Sequence, residues 1–251
     1  LEKGVRAALE TYSNVHRGSG HFSMVTTFLF EQARDIVLEY LGLNRLRYRV
    51  IFCTTRLADR LEAHLSPAAF RRLSSGDIGL PLGITAMAVK RNALPRGNPS
   101  VTGGGTTRLI GPDWVVWDKA PARFEAGTPA VINVIAFARA LRLVRQYGKD
   151  IFRQPASGSL SADEILFHDR LEKLTGKELL DALRETLPGR RINVPTRKGM
   201  QPCIHLDNAA STPAFAPVWE AVCQTWRQTP AVHKAIIREV RSVCSLMLGA
   251  P

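Results

Sequence analysis

The alternation of apolar and polar positions divides the chain into amphipathic helices separated by short runs of β-formers. Val5–Tyr12 reads as the end of a helix, and Phe22–Leu41 as a long one, with Phe28, Ala33, Ile36, Val37, Tyr40 and Leu41 near helical spacing and Gly42 closing it. Arg49–Cys53 and Ile84–Val89 read as buried strands, and Trp114–Trp117 as a short buried strand. Leu57–Leu65, Ala130–Tyr147, Ile165–Leu174, Lys177–Leu187, Pro213–Trp226 and Pro230–Leu248 predict further helices. Ser66–Arg72 reads as a helical turn, Arg191–Val194 and Ile204–Leu206 as short strands, and Pro195–Pro202 as a basic linker. Helices alternating with short strands predict an α/β fold.

The pattern also repeats. Ala33-Arg34 and Leu41-Gly42 match Val240-Arg241 and Leu248-Gly249, with one spacing separating both pairs. Val5–Tyr12 resembles Val218–Thr225 at a slightly different spacing. Two tandem copies of one architecture explain this, although amphipathic helices ending in Leu-Gly are common.

Composition changes little. An apolar fraction of 45% is that of a globular protein, and no run is long enough to span a membrane. The four cysteines form neither a CxxC pair nor a zinc spacing. The first residue is Leu1 and no secretory pattern follows, so a cytoplasmic protein with its true start upstream is expected. The balance of 34 basic against 22 acidic residues permits attraction to nucleic acid or anionic lipid. The cations are scattered and no nucleic-acid-binding motif accompanies them, so a solvated basic surface is expected, with no nucleic-acid or membrane partner.

Candidate chemistry lies in two glycine-bearing stretches and one loop. Gly103-Gly104-Gly105-Thr106-Thr107 brings backbone amides within reach of an anion or another chain. Gly127-Thr128-Pro129 feeds the Ala130–Tyr147 helix, with Thr128 a candidate N-cap and Pro129 the first helical residue. A phosphate could sit at that helix end, or the stretch could simply start a well-capped helix. His16-Arg17 lies in a polar, glycine-broken loop that could bind a carboxylate or phosphate, or be a solvated turn.

Gly103–Thr107 followed by Arg123-Phe124-Glu125-Ala126-Gly127-Thr128-Pro129 resembles a segment of the class V pyridoxal-phosphate-dependent aminotransferases, the group that includes cysteine desulfurases and selenocysteine lyases. Asn14-Val15-His16-Arg17-Gly18 and Leu206-Asp207-Asn208-Ala209-Ala210-Ser211-Thr212 resemble two more of its motifs, but in reversed order. The resemblance implies an incomplete PLP-transferase-like (aspartate aminotransferase-like) large domain, α/β, with a mixed sheet flanked by helices. It implies pyridoxal 5'-phosphate as cofactor, an amino-acid substrate, and a homodimer or an intramolecular partner copy. Thr128, Gly127 and Thr106 would contact the cofactor phosphate. His16, Arg17, Asn208 and Ala210 would border the substrate pocket. Thr54-Thr55 would belong to a phosphate cradle altered by the following Arg56-Leu57-Ala58-Asp59.

Two departures bear on activity. Ser74-Ser75-Gly76-Asp77, followed by Pro81 and Gly83, resembles the family's Schiff-base segment, with Asp77 where the lysine belongs. A carboxylate cannot form a Schiff base, so no catalytic residue is assigned. The family's long central segment, with the groups that stack on and pair with the pyridine ring, is replaced by residues 66–72. The expected organisation is a partial, degenerate domain over 1–154, a helical segment and linker over 155–202, and the start of a second copy over 203–251. The chain then reads as part of a class V aminotransferase or cysteine-desulfurase-like protein and inactive by itself, or as a non-catalytic pseudo-domain that stabilises or completes a catalytic one. The missing central strands would leave sheet edges exposed.

Overall fold

The computed structural model describes residues 1–15, 20–152, 158–187, 192–204 and 214–250. The chain divides into two units, Leu1–Ile151 and Phe152–Pro251.

In the first unit α1 (Glu2–Glu10) and α2 (His21–Leu41) precede β1 (Tyr48–Cys53), α3 (Thr55–Glu62), β2 (Phe70–Ser74) and β3 (Thr85–Lys90). The sheet order is β1-β3-β2, and both outer strands pair antiparallel with β3. β1 and β2 therefore run the same way on either side of β3, joined by α3 as a split crossover. Every described ladder is antiparallel, so the sheet holds no adjacent parallel pair. The mixed α/β makeup and the helices on the sheet are as expected.

Strand alternation explains why β1 and β3 read as continuous apolar runs. Ile51, Cys53, Met87 and Val89 pack with Ala58 and Leu61 of α3. Their alternates face the other side, where Phe52 meets Phe30 of α2 edge-on at 5.4 Å. Both faces are covered, so there is no polar face to show. α4 (Val131–Tyr147) packs against α2 and α1 and completes the core.

Several sequence expectations are corrected. The helical turn expected over Ser66–Arg72 is present at Pro67–Ala69 as a 3-10 turn, but Phe70–Ser74 form a strand. β2 is an edge strand, where charged residues are tolerated, and Arg72 reaches Asp59 and Glu62 on α3 at 2.8 and 3.2 Å. Trp114–Trp117 is not buried. β4 (Thr107–Ile110) and β5 (Val115–Trp117) form a two-stranded ribbon that leaves Trp114 54% exposed. α4 begins two residues later than expected, with Ala130 at its N-cap and no side-chain cap, so Thr128 does not cap it. The Val131 amide bonds back to Pro129, and that turn delays the helix. In α2 Phe28 is exposed, and Arg34 takes a buried place on the apolar face.

The second unit holds α5 (Ala162–Leu166), α6 (Gly176–Glu185), the hairpin of β6 (Asn193–Thr196) and β7 (Gly199–Pro202), α7 (Ala216–Trp226) and α8 (Pro230–Leu248). The expected Ile165–Leu174 helix stops at Leu166. Asp169 accepts the Leu171 amide at 2.6 Å, a local bond that competes with the helix. The expected linker 195–202 is most of that hairpin, and a two-stranded ribbon tolerates its prolines at pairing edges. Ile165, Trp219, Cys223 and Ile236 are the buried apolar residues described in this unit.

Candidate functional site

The two glycine-bearing stretches come together. The Gly127 amide donates to the Gly104 carbonyl at 2.9 Å, and Gly127 sits at φ 87°, a conformation that disfavours any side chain. The loop 125–129 separates two cavities, and Glu125 and Pro129 line both. The first, about 520 Å³, takes Thr54, Arg56 and Arg60 from the β1–α3 junction and Thr128 from the loop. The second, about 480 Å³, is lined by Val15, Gly105, Lys119 and Gly127.

A buried ion pair fixes the loop. Arg34 donates two parallel bonds to the Glu125 carboxylate, at 2.7 and 2.8 Å, with both side chains 6% exposed. The Phe52 amide donates to Glu125 at 2.7 Å, and Arg34 donates to the Val50 carbonyl at 2.8 Å. Residues 50 and 52 belong to the outer strand β1, so the pair occupies backbone groups that would otherwise be open on that edge. The guanidinium carbon lies 4.9 Å from the Phe30 ring centre and 5.2 Å from that of Phe52. Burial by itself would lower the Arg34 pKa. Glu125, with Glu31 adding to it, more than offsets that, and the net shift is upward.

Cys53 lines the first cavity, but burial first and the Glu125 charge second push its thiol up to about 12. It stays protonated and donates weakly to the Thr85 carbonyl at 3.6 Å, which does not suit a nucleophile.

The predicted cofactor contacts separate. Thr128 lines the first cavity and Gly127 the second. Thr106 is fully buried, and its hydroxyl donates to the Gly103 carbonyl at 2.7 Å and accepts the Gly103 amide at 3.2 Å. It stabilises the glycine turn and lines neither cavity. His16, Arg17, Asn208 and Ala210 lie outside the described residues.

Asp77 lines neither cavity. It closes a reciprocal cap with Ser74: its carboxylate accepts the Ser74 amide at 2.7 Å, and its own amide donates to the Ser74 hydroxyl at 3.3 Å. Asp77 thus holds the turn after β2.

Sequence reasoning missed the Arg34–Glu125 pair and the cavity-lining Arg60, and gave Arg56 only as a change in the Thr54-Thr55 stretch. The first left a signal: an arginine between Ala33 and Val37 on an apolar helix face needs a buried partner. The second left none, because helical arginines are usually solvated. Among the described residues no cluster could hold a metal ion and no helix is long and apolar enough to cross a membrane.

The family model for class V aminotransferases matches residues 73–197. A probable cysteine desulfurase of Aeropyrum pernix is 29% identical over 138 residues, covering 50% of this chain and 32% of that protein. Another from Halobacterium salinarum is 33% identical over 94 residues, covering 37% of this chain and 23% of that protein. The apo cysteine desulfurase of Thermococcus onnurineus aligns with a TM-score of 0.46 and 17% identity over 59% of this chain and 65% of its own. The stretch that matches these two curated relatives is a third of their length or less. On the matched family model and these desulfurase relatives, the chain belongs to the class V aminotransferase family.

Proposed function

We propose that the chain is part of a class V aminotransferase or cysteine-desulfurase-like protein acting on amino acids, and that it is itself non-catalytic. The observation that carries this reading is the cap between Asp77 and Ser74. Pyridoxal 5'-phosphate, the family's cofactor, supplies an electron sink when tethered to a lysine. The residues present do not fit that tether. Asp77 offers no amine and is committed to its turn, and the first cavity, which holds Thr54 and Thr128, has no lysine lining it. Lys119 lines the second cavity with Gly127, so the elements of a cofactor site are divided.

In the parent protein, Gly127 and Thr128 would border the cofactor phosphate of a partner, with Thr106 holding the glycine turn beside them. His16, Arg17, Asn208 and Ala210 would border the substrate. A homodimer or an intramolecular copy would supply that partner, and the cytoplasm is the compartment we assign. The second unit would carry the start of another copy.

A second reading makes the first unit a pseudo-domain that stabilises or completes a catalytic domain. The Arg34–Glu125 pair favours it, because a sheet edge satisfied from within can persist without catalytic work.

Incubation with pyridoxal 5'-phosphate followed by borohydride tests the absence of a tether. No absorbance band at about 420 nm and no trapped lysine adduct are expected. A stoichiometric adduct on one lysine, abolished by Lys119→Gln or another single lysine change, overturns both readings.

A further inference from the structure

We propose that the end of the first unit's sheet where β1 starts and β3 finishes is a docking surface for an anionic phospholipid membrane. The inference goes beyond the family reading and does not depend on it. In sequence, Arg45 and Arg47 stand far from Lys90 and Arg91, and the four read as scattered charge. The pairing of β1 with β3 gathers them. Tyr48 lies opposite Lys90, the Arg91 amide donates to the Arg47 carbonyl at 2.9 Å, and the Arg91 guanidinium donates to the Arg45 carbonyl at 3.0 Å. Among the described residues none of the four cations has an acidic partner at salt-bridge distance. Arg49, the next cation on β1, has Glu31 and Asp35 of α2 acting on it, yet burial first and the Arg91 charge second lower its pKa. The field at this end of the sheet is therefore positive.

An apolar side chain stands among these cations. Leu46, between Arg45 and Arg47, is 74% exposed. The turn that carries it is fixed. The Asn44 side chain accepts the Leu46 amide at 2.7 Å, and the Asn44 carbonyl accepts the Arg47 and Tyr48 amides at 3.0 Å. Arg91 holds the carbonyls on either side of Leu46. A leucine held outward among cations suits a bilayer surface: the cations meet anionic headgroups, and the leucine enters the boundary with the acyl chains. A nucleic acid fits less well. Its phosphates would answer the charges, but Tyr48, the aromatic beside them, is half-buried in the sheet, and Leu46 would stay in water.

Co-sedimentation of the full chain with lipid vesicles tests this. The chain is expected to pellet with vesicles of equimolar phosphatidylcholine and phosphatidylserine, to stay in solution with phosphatidylcholine alone, and to dissociate as salt is raised. Arg45→Gln, Arg47→Gln and Lys90→Gln should each weaken binding about fivefold. Leu46→Ser should weaken it about tenfold, and Leu46→Trp should strengthen it. Arg45, Leu46 and Arg47 are exposed, so urea midpoints should not move, and a gain with Leu46→Trp is an effect that a damaged fold would not produce. Arg6→Gln, exposed on α1, should change nothing. The proposal is overturned if the chain ignores the anionic vesicles, if Leu46→Ser and Leu46→Trp bind them as the unsubstituted chain does, or if Arg6→Gln weakens binding as much as Arg47→Gln. It is overturned too if a DNA duplex or polyglutamate binds through the same cations more tightly than the vesicles at the same salt.

Discussion

α2 and α8 end in the same way and live in different surroundings. Gly42 closes α2 at φ 66°, and Gly249 closes α8 at φ 62°. In both, the glycine amide bonds the carbonyl three residues back at 3.2 Å, and the next amide bonds the carbonyl five residues back at 2.9 Å. The spacing that relates Gly42 to Gly249 also relates Phe30 to Ile237, Ala33 to Val240 and Arg34 to Arg241. There the likeness stops. Phe30 and Ala33 are buried under a sheet and against α4, whereas Ile237 is 52% exposed and Val240 43%. Local sequence sets where such a helix stops. The strand and second helix that pack on it decide whether its apolar face becomes a core. The first unit contains them, and its Phe30, Phe137, Ile51, Met87 and Leu141 are among the largest fully buried side chains described.

The paired arginines give the largest test of that contrast. Arg34→Leu leaves Glu125 buried and unpaired, and should cost about 3–5 kcal/mol in urea unfolding of the first unit. Arg241→Leu, at the matching exposed position, should stay within about 0.5 kcal/mol. Similar losses from both would mean that α8 is as well embedded as α2.

The cysteines give the next. The folded Cys53 thiol keeps its proton up to about 12, while an unperturbed thiol releases it near 9.0. The folded state therefore binds more protons than the unfolded one between those values. Stability should fall as pH rises through that window, by up to about 1.4 kcal/mol per pH unit, and Cys53→Ala should flatten the slope. Iodoacetamide at moderately alkaline pH should label exposed Cys244 in the native chain and Cys53 only on unfolding. Equal labelling rates would show that the first core opens as readily as the second unit.

What could be read from the residues themselves was whatever depends on near neighbours in sequence. Periodicity located α2, α4, α7 and α8, and Pro230–Leu248 holds to the residue, because a Pro start and a Gly stop are local signals. β1 and β3 were legible for the same reason. β2 was not, since alternating Arg71, Arg72 and Leu73 makes a strand only when an edge of β3 and the acids of α3 are already in place. The exposure of Trp114 was hidden because an apolar run does not say whether anything covers it. At the site, the motif loops and Asp77 were visible as residue types. The cap that employs Asp77 was not, and neither was the partition of Gly127 and Thr128 between two cavities. Arg56 was legible only as a change in the stretch after Thr54-Thr55, and Arg60 gave no sign of the cavity it lines.

The smallest effect is also the cleanest test of the comparison, because the two positions are chemically matched. A methyl group added at Gly42 or Gly249 meets no atom within 4 Å, so neither substitution creates a clash. What remains is the cost of holding alanine in a left-handed conformation, about 1 kcal/mol, and the nearly equal φ angles make it the same at both ends. Any difference in measured stability must then come from how tightly each last turn is coupled to its unit. Leu38, whose carbonyl accepts the Leu43 amide, is buried in the first core, so Gly42→Ala should lower the global unfolding midpoint by the full amount. Leu246, Met247 and Leu248 are about 80% exposed, so the last turn of α8 can fray without disturbing a core. Gly249→Ala should leave the midpoint in place and speed amide exchange in residues 245–250 alone. Equal midpoint shifts would mean that the last turn of α8 unfolds with its unit, and exposure would no longer explain why like helices behave differently.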